Sequence, residues 1–376
     1  MSILFISSII FTLYAIASLA LPAAIKPRYK ILLSIVFIVC SLKFIIYRYT
    51  GSILEPNLDV KTVLALETGH AFLLLCAFLA LLKDICSVLL LVIKKLMKVK
   101  STFTLNRFNP YLILCALVMA VSGTLYQLKI PDIKVVEVKI KDLPEELEKL
   151  NIIQLTDIHI GPILKHDFLE GVVHRVNEQK ADLVLLTGDY VDGSVRSNGK
   201  EFKSLASLKS TYGIYAVTGN HEYYSMAREW VEHLKGYNIR FLDNEHVTLN
   251  IDGATLTIGG SPDLKAPQFN YTGPDAKKTF KGAPDGTRIY LTHEPATVTM
   301  TKVDADLMLS GHTHGGIMFF LKPLIAKYNA GYVSGLYKID DRLQLYVSNG
   351  TGIWSGFSCR ILVPSEITLI KLKRAE

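Results

Sequence analysis

Long apolar runs separated by short charged stretches fill the first third of the chain, and after about residue 128 the runs shorten and alternate with polar segments. Ile3 to Pro22 holds no charged residue and is about the length that crosses a ~30 Å hydrocarbon layer. Ile31 to Ile46 is apolar apart from Lys43 near its end, where a long side chain can snorkel. Val63 to Leu82 is apolar apart from Glu67 and His70, and Tyr111 to Leu128 is apolar nearly throughout. These runs predict about four transmembrane helices in a membrane module, residues 1–128. Ile85 to Ile93 is too short to cross alone and reads as a continuation of the third helix or as an interfacial stretch. The first run lacks a basic segment before it, so a span is favoured there over a cleaved signal peptide. Glu67 and His70 share a helix face and read as a pair turned to a neighbouring helix or the headgroups, with an intramembrane function as the alternative.

Residues 129–376 predict an α/β body. Val135 to Ile140 reads as a strand, followed by alternating units: apolar Ile152 to Leu155, Leu183 to Leu186 and Ile214 to Val217, separated by helical stretches near Asp167 to Glu178 and Lys200 to Lys209. Short non-alternating apolar runs of this kind suit strands covered on both faces. From Val247 onward strands dominate, at Val247 to Ile251, Ala254 to Gly259, Arg288 to Thr292, Leu307 to Ser310, Val333 to Ile339, Leu343 to Ser348 and Ile367 to Leu372. Asp252-Gly253 and Asp340-Asp341 mark hairpin turns. Two facing mixed sheets flanked by helices account for this order. Ser261 to Thr287, rich in Pro and Gly, is expected to be one long irregular loop.

Charge follows the same division. Before residue 128 there are 12 Lys and Arg against 4 Asp and Glu, and the rest of the chain has 29 against 30. The basic balance therefore belongs to the membrane module and gives no nucleic-acid signal. Lys26, Arg28 and Lys30, and then Lys94, Lys95, Lys98, Lys100 and Arg107, fall in alternate loops and should face the cytoplasm. With four spans, the protein sits in the cell (inner) membrane with its body extracytoplasmic; a miscount by one span reverses this. The five cysteines show no disulfide framework.

The candidate chemistry lies where strands should end. Asp157-Ile158-His159, Gly188-Asp189, Gly219-Asn220-His221-Glu222, Thr292-His293-Glu294 and Gly311-His312-Thr313-His314 each follow an apolar run, and they contain five of the ten histidines of the chain. Singly, each is a turn with a satisfied polar group. Together they are the imidazole, carboxylate and amide donors that first-row divalent metals take, spread over five loops rather than paired as in a zinc finger.

This motif set resembles that of the calcineurin-like metallophosphoesterase superfamily, in its membrane-linked bacterial branch, over about Leu150 to Lys371. The resemblance implies a β-sandwich flanked by helices and two divalent ions, Mn, Fe or Zn. By resemblance Asp157, His159 and His314 hold one ion, Asn220, His293 and His312 the other, and Asp189 bridges them. His221 is then not a ligand: it contacts the phosphate and protonates the leaving oxygen. A hydroxide between the ions would attack a phosphoester or pyrophosphate in line. Asp192 and Glu222 are candidates to orient His221, with surface carboxylates the alternative. Protein Ser/Thr phosphatases have Asp-Arg-Gly where this chain has Asp192-Gly193-Ser194, so a protein-phosphatase role is disfavoured. Ser348 to Trp354 and Pro364 to Ile367 resemble the closing segment of the membrane-linked branch; Arg360 between them is expected at the surface, with phosphate contact the alternative.

The partners this implies are a phosphate-containing substrate and the membrane, with no protein partner indicated. Lys265, Lys277, Lys278, Lys281, Phe269 and Tyr271 in the irregular loop leave a lipid-linked substrate open. Two competing readings are a cytoplasm-facing pyrophosphatase of a nucleotide-linked acylated sugar in outer-membrane lipid synthesis, and a non-catalytic membrane binding module.

Overall fold

The computed structural model describes residues 2–375 and divides into two compact units. The first is Met1–Tyr126 together with Gly356–Cys359; the second is Gln127–Ser355 with Arg360–Glu376.

The first unit is helical. Val60–Leu96 is one unbroken helix of 37 residues, begun by Asp59, whose carboxylate accepts the Lys61 and Thr62 amides, and ended near Lys94 and Lys95. The charges at Lys83 and Asp84, where an apolar run would be expected to stop, are paired with each other, Lys83 buried and Asp84 partly exposed. Lys83 Nζ lies 2.9 Å from Asp84 Oδ1 and donates to Ser18 O at 2.6 Å and to Asn106 Oδ1 at 3.1 Å. The Ile85 to Ile93 stretch therefore continues the third helix. Lys83 and Asn109 also take the carbonyls freed where the first helix loosens into a π-helical turn at Ile16–Ala20. Val60–Leu96 and Leu105–Tyr126 are long and apolar enough to cross a membrane, and Pro27–Ser41 with Lys43–Thr50 adds a third span if that pair, bent by 42°, is counted as one. Leu4–Ala20 is apolar but shorter.

The described residues of the second unit form twelve strands: β1 (Ile133–Ile140), β2 (Ile152–Leu155), β3 (Leu183–Thr187), β4 (Ile214–Val217), β5 (Ile239–Phe241), β6 (Glu245–Ile251), β7 (Ala254–Gly260), β8 (Thr287–Leu291), β9 (Leu307–Ser310), β10 (Gly335–Lys338), β11 (Gln344–Val347) and β12 (Ile367–Arg374). They form two six-stranded mixed sheets, ordered β1-β12-β2-β3-β4-β5 and β10-β11-β9-β8-β7-β6. In the first, only the β12–β2 pair is antiparallel; in the second, the outer pairs β10–β11 and β7–β6 are. The core lies between the sheets, in one cluster that joins Leu183, Leu185 and Val217 of the first sheet to Ile258, Ile289 and Leu309 of the second. On the far face of the second sheet, Tyr290, Met308 and Leu345 pack with Ala276 and Phe280. Both faces of β3, β8 and β9 are thus covered, which is why their sequences do not alternate.

Asp252 and Gly253, both at positive φ, make the two-residue turn between β6 and β7, as the sequence predicts. The structure differs from the sequence reading in several places: the pattern leaves β5 (Ile239–Phe241) unassigned, and the helical stretch near Lys200 to Lys209 is a 3-10 helix, Gly199–Ser207. The Ser261 to Thr287 stretch is not wholly irregular: Ala266–Phe269 and Ala276–Thr279 are short helices, the second capped by Asp275. The 220s, unassigned by pattern, form Asn220–Tyr224 and Ala227–Lys235, the latter burying Trp230.

Candidate metal centre

Every one of the five motifs begins within three residues of a strand end: Asp157 after β2, Asp189 after β3, Asn220 after β4, His293 after β8 and His312 after β9. All five strands are parallel to a neighbour in their sheet, so their carboxyl ends gather on one edge of the sandwich. Cross-links draw the two sheets' ends together. Gln154 Nε2 donates to Ser310 O at 3.1 Å, His293 Nδ1 to Thr187 O at 2.8 Å, and the His312 amide to both Asp157 oxygens at 3.0 Å.

The backbone here is costly. Asp157, His159, Asp189, His312 and His314 all have φ between 48° and 70°, the left-handed region, which disfavours residues with a side chain. Such strain, about 1 kcal/mol or more per residue, persists only where the surroundings fix it, and it clusters at functional sites. The close packing behind it is visible at Gly219, where a Cβ would lie 2.6 Å from the Asp189 amide nitrogen and 2.9 Å from His293 Cγ. Gly219→Ala should therefore destabilise the protein by about 1–3 kcal/mol and lower metal affinity by about 10- to 100-fold. Thermal melting and metal titration of the variant check this, and wild-type values in both would contradict the packing argument.

Donor atoms of Asp157, His159 and His314 lie within 4.8 Å of one another, and so do those of Asp189, His293 and His312. Asp189 also joins a third such group with His159 and His221. Asn220 Oδ1 is buried and has no hydrogen-bond donor among the described residues. His293 gives its Nδ1 proton to Thr187 O, and its Nε2 faces Asp189 Oδ2 at 3.1 Å. Burial opposes charge on this ring, but the Asp189 carboxylate holds its pKa well above the usual imidazole range, so the gap between the two atoms takes a proton or, in its place, a metal ion. The imidazole, carboxylate and amide donors of this cluster therefore fit divalent metal ions.

Burial works against the charged form of Asp189, yet the imidazoles of His293 and His221 outweigh it and hold its carboxyl well below the usual range. His221 is buried too, which would lower its pKa, but the Asp189 and Asp192 carboxylates push it up to about 9. Cations beside Asp189 would draw that value back down. Asp192 lies under both imidazoles, with Oδ1 2.6 Å from His221 Nδ1 and 3.1 Å from His159 Nδ1. It is fully buried rather than at the surface.

Glu222 does not touch the His221 ring. Adjacent helical residues point about 100° apart, and Glu222 instead accepts the amides of Gly219 (2.6 Å), Asp189 (3.0 Å) and Tyr190 (2.8 Å), tying two motifs together. Arg360 is not at the surface. It is buried, donating to Asn349 O and Gly352 O and lying against His314 Nδ1, each at 2.6 Å. Burial first, and the Arg360 charge next, hold His314 well below the usual imidazole range, so it stays unprotonated.

Four further residues stand beside the cluster. Trp354 meets the His221 ring edge-on at 5.2 Å and Tyr224 lies 5.6 Å from it. Glu294 is 4.0 Å from His312 Nε2, and Asp263 is fully buried, its carboxyl pushed up to about 8 by burial and by Glu294. The position of Glu294 next to His293 was a usable sequence signal. Asp263, Trp354 and Tyr224 carry none that spacing reveals.

The family model for calcineurin-like phosphoesterases matches residues 150–316. An uncharacterised metallophosphoesterase of Campylobacter jejuni is 33% identical over 93% of this chain and 91% of its own length. One from Helicobacter pylori is 38% identical over 62% of this chain and 64% of that protein. A zebrafish (Danio rerio) transmembrane protein with a metallophosphoesterase domain is 35% identical over 69% of this chain and 61% of its own length.

Proposed function

This chain belongs to the calcineurin-like metallophosphoesterases, metal-dependent phosphoester hydrolases, and from that premise we propose that it is a membrane-anchored enzyme with a dinuclear centre. Its apolar helices and its transmembrane-named relatives make it a membrane protein. In this reading Asp157, His159 and His314 would hold one ion and Asn220, His293 and His312 the other, with Asp189 available to both. The observation that carries it is the convergence of these seven side chains, five of them on left-handed backbone. Bound there, two divalent ions would supply Lewis acidity toward the phosphoryl oxygens and a water acidic enough to attack at neutral pH. Asp192 fixes the tautomer and ring plane of His221, and His221 delivers a proton to the departing oxygen. Glu222 holds the Gly188-Asp189 and Gly219-Asn220 turns in register.

The substrate is a phosphomonoester, phosphodiester or pyrophosphate, and tethering favours one anchored in lipid. Two helices, or three with the bent pair counted as one, are long enough to cross; taking the shorter apolar Leu4–Ala20 as a further crossing would make four and, with the basic loops inside, put the catalytic body outside the cytoplasm. The test uses the full chain in lipid nanodiscs loaded in turn with Mn, Fe or Zn. It should hydrolyse an aryl phosphodiester only when metal is bound, and a lipid phosphate in the same bilayer faster than its soluble short-chain analogue. Equal rates on the two would remove the lipid component, and no hydrolysis of any phosphoester would remove the enzymatic reading. Protection of the carboxyl terminus from protease in intact spheroplasts would overturn the extracytoplasmic placement.

A further inference from the structure

The chain leaves the catalytic body after Ser355 and returns to it at Arg360, and the four residues between belong to the helical unit. They are held there by a buried charge pair. Lys43 Nζ lies 2.8 Å from Glu67 Oε1, with both side chains 1% exposed, and donates to Gly356 O at 2.7 Å. Glu67 Oε2 accepts from Ser358 Oγ at 2.9 Å and from the Ser358 amide at 3.3 Å, while Tyr47 Oη donates to Glu67 Oε1 at 2.8 Å. His70 packs between Phe44 and Phe357, at 5.0 and 6.4 Å. Cys359 Sγ rests on Ala120 O at 3.7 Å.

Ionisable groups inside apolar helices are expensive to bury, and they are kept where they serve something other than helix packing. Here both partners spend hydrogen bonds on a segment about 290 or more residues away in the chain. That segment is short. The residue two before it, Trp354, meets the His221 ring, and the residue just after it, Arg360, holds the 349–352 turn and touches His314. With only Ser355 between Trp354 and Gly356, displacing the strap must displace both flanking side chains.

We propose that Lys43 and Glu67 are positioning residues: they fix the strap Gly356–Cys359, and through the chain on either side set Trp354 against His221 and Arg360 against His314. Catalytic competence then depends on the strap being held, because the strap is continuous in the chain with Ser355 on one side and Arg360 on the other. The inference rests on the roles proposed above for His221 and His314.

The test uses the full chain in nanodiscs, labelled with 5-fluorotryptophan. The sequence has two tryptophans, Trp230 and Trp354, so two resonances report the body core and the strap flank separately. Lys43→Met/Glu67→Met removes both charges together and leaves neither buried alone. We expect the Trp354 resonance to shift or broaden, that of Trp230 to stay, and kcat per metal-loaded site to fall about 10- to 100-fold. Ser358→Ala should give a smaller change of the same kind, and it decides alone if the double variant does not fold. A folded variant with wild-type kcat, or with lowered kcat and an unmoved Trp354 resonance, would overturn the proposal. If the wild-type protein hydrolyses nothing, the enzymatic reading fails, and the resonances still report whether the charge pair sets the strap.

Discussion

Asp189→Asn is expected to strip the protein of metal and to lower its phosphoesterase activity by more than about 1,000-fold, the loss that follows from several kcal/mol of missing electrostatic stabilisation. Among the described residues, Asp189 is the carboxylate that joins two of the three donor groups. Its Oδ2 lies 3.1 Å from His293 Nε2 and 3.8 Å from both His159 and His221 Nε2, while Oδ1 accepts the His221 amide at 2.8 Å. Asn keeps the shape and the amide contact but removes the negative charge, and it can turn an NH2 group toward the cations. Shape is therefore preserved while affinity is lost. The measurement is elemental analysis of purified protein beside turnover of an aryl phosphodiester. Asp252→Asn in the β6–β7 turn, where Asn also tolerates the left-handed backbone, should change neither. A variant at Asp189 that kept its metal and most of its activity would sink the assignment.

The same residues explain what the sequence made legible. Asp157, Asp189, His293 and His312 all sit two residues past a strand, and strands buried on both faces announce themselves as short apolar runs. A motif tied to such a run inherits its reliability. Asn220 could be placed by the same logic although its five-residue helix could not, since one turn and a half gives no period to read. Ala227–Lys235 does place apolar Ala227, Trp230, Val231 and Leu234 on one face, but its entry at Met226 is left-handed and breaks continuity with the helix before it.

Where the sequence reading stayed open or failed, one physical cause recurs: charge that looks solvated in sequence is neutralised by tertiary partners. Lys83 and Asp84 would end an apolar run, yet the helix passes through them because Ser18, Asn106 and Tyr14 satisfy them. Arg360 would be a surface residue by composition, but two carbonyls of the 349–352 turn and the His314 imidazole nitrogen accept its guanidinium. Glu222 followed from its neighbour's chemistry and went to the backbone instead, where three amides outcompete one imidazole on geometry.

His221→Ala separates proton delivery from metal binding. Its ring is turned by Asp192 at 2.6 Å and packed by Trp354 and Tyr224, and two of the three donor groups, Asp157 with His159 and His314 and Asp189 with His293 and His312, form without it. The variant should keep its metal and lose about 100- to 10,000-fold in kcat, the range of a single general acid. The loss should also depend on the leaving group. A nitrophenolate departs nearly unaided, so its ester needs little protonation, whereas an alkoxide cannot leave without a proton. Across a series of aryl and alkyl esters, log kcat of the variant should then fall more steeply with leaving-group basicity than that of the wild type. Asp192→Asn should give a milder version, because it leaves the imidazole in place and removes only the carboxylate that charges and orients it. If His221→Ala slowed all esters by one common factor, the ring would be binding the phosphate without donating a proton, and the division of labour between Asp192 and His221 would have to be abandoned.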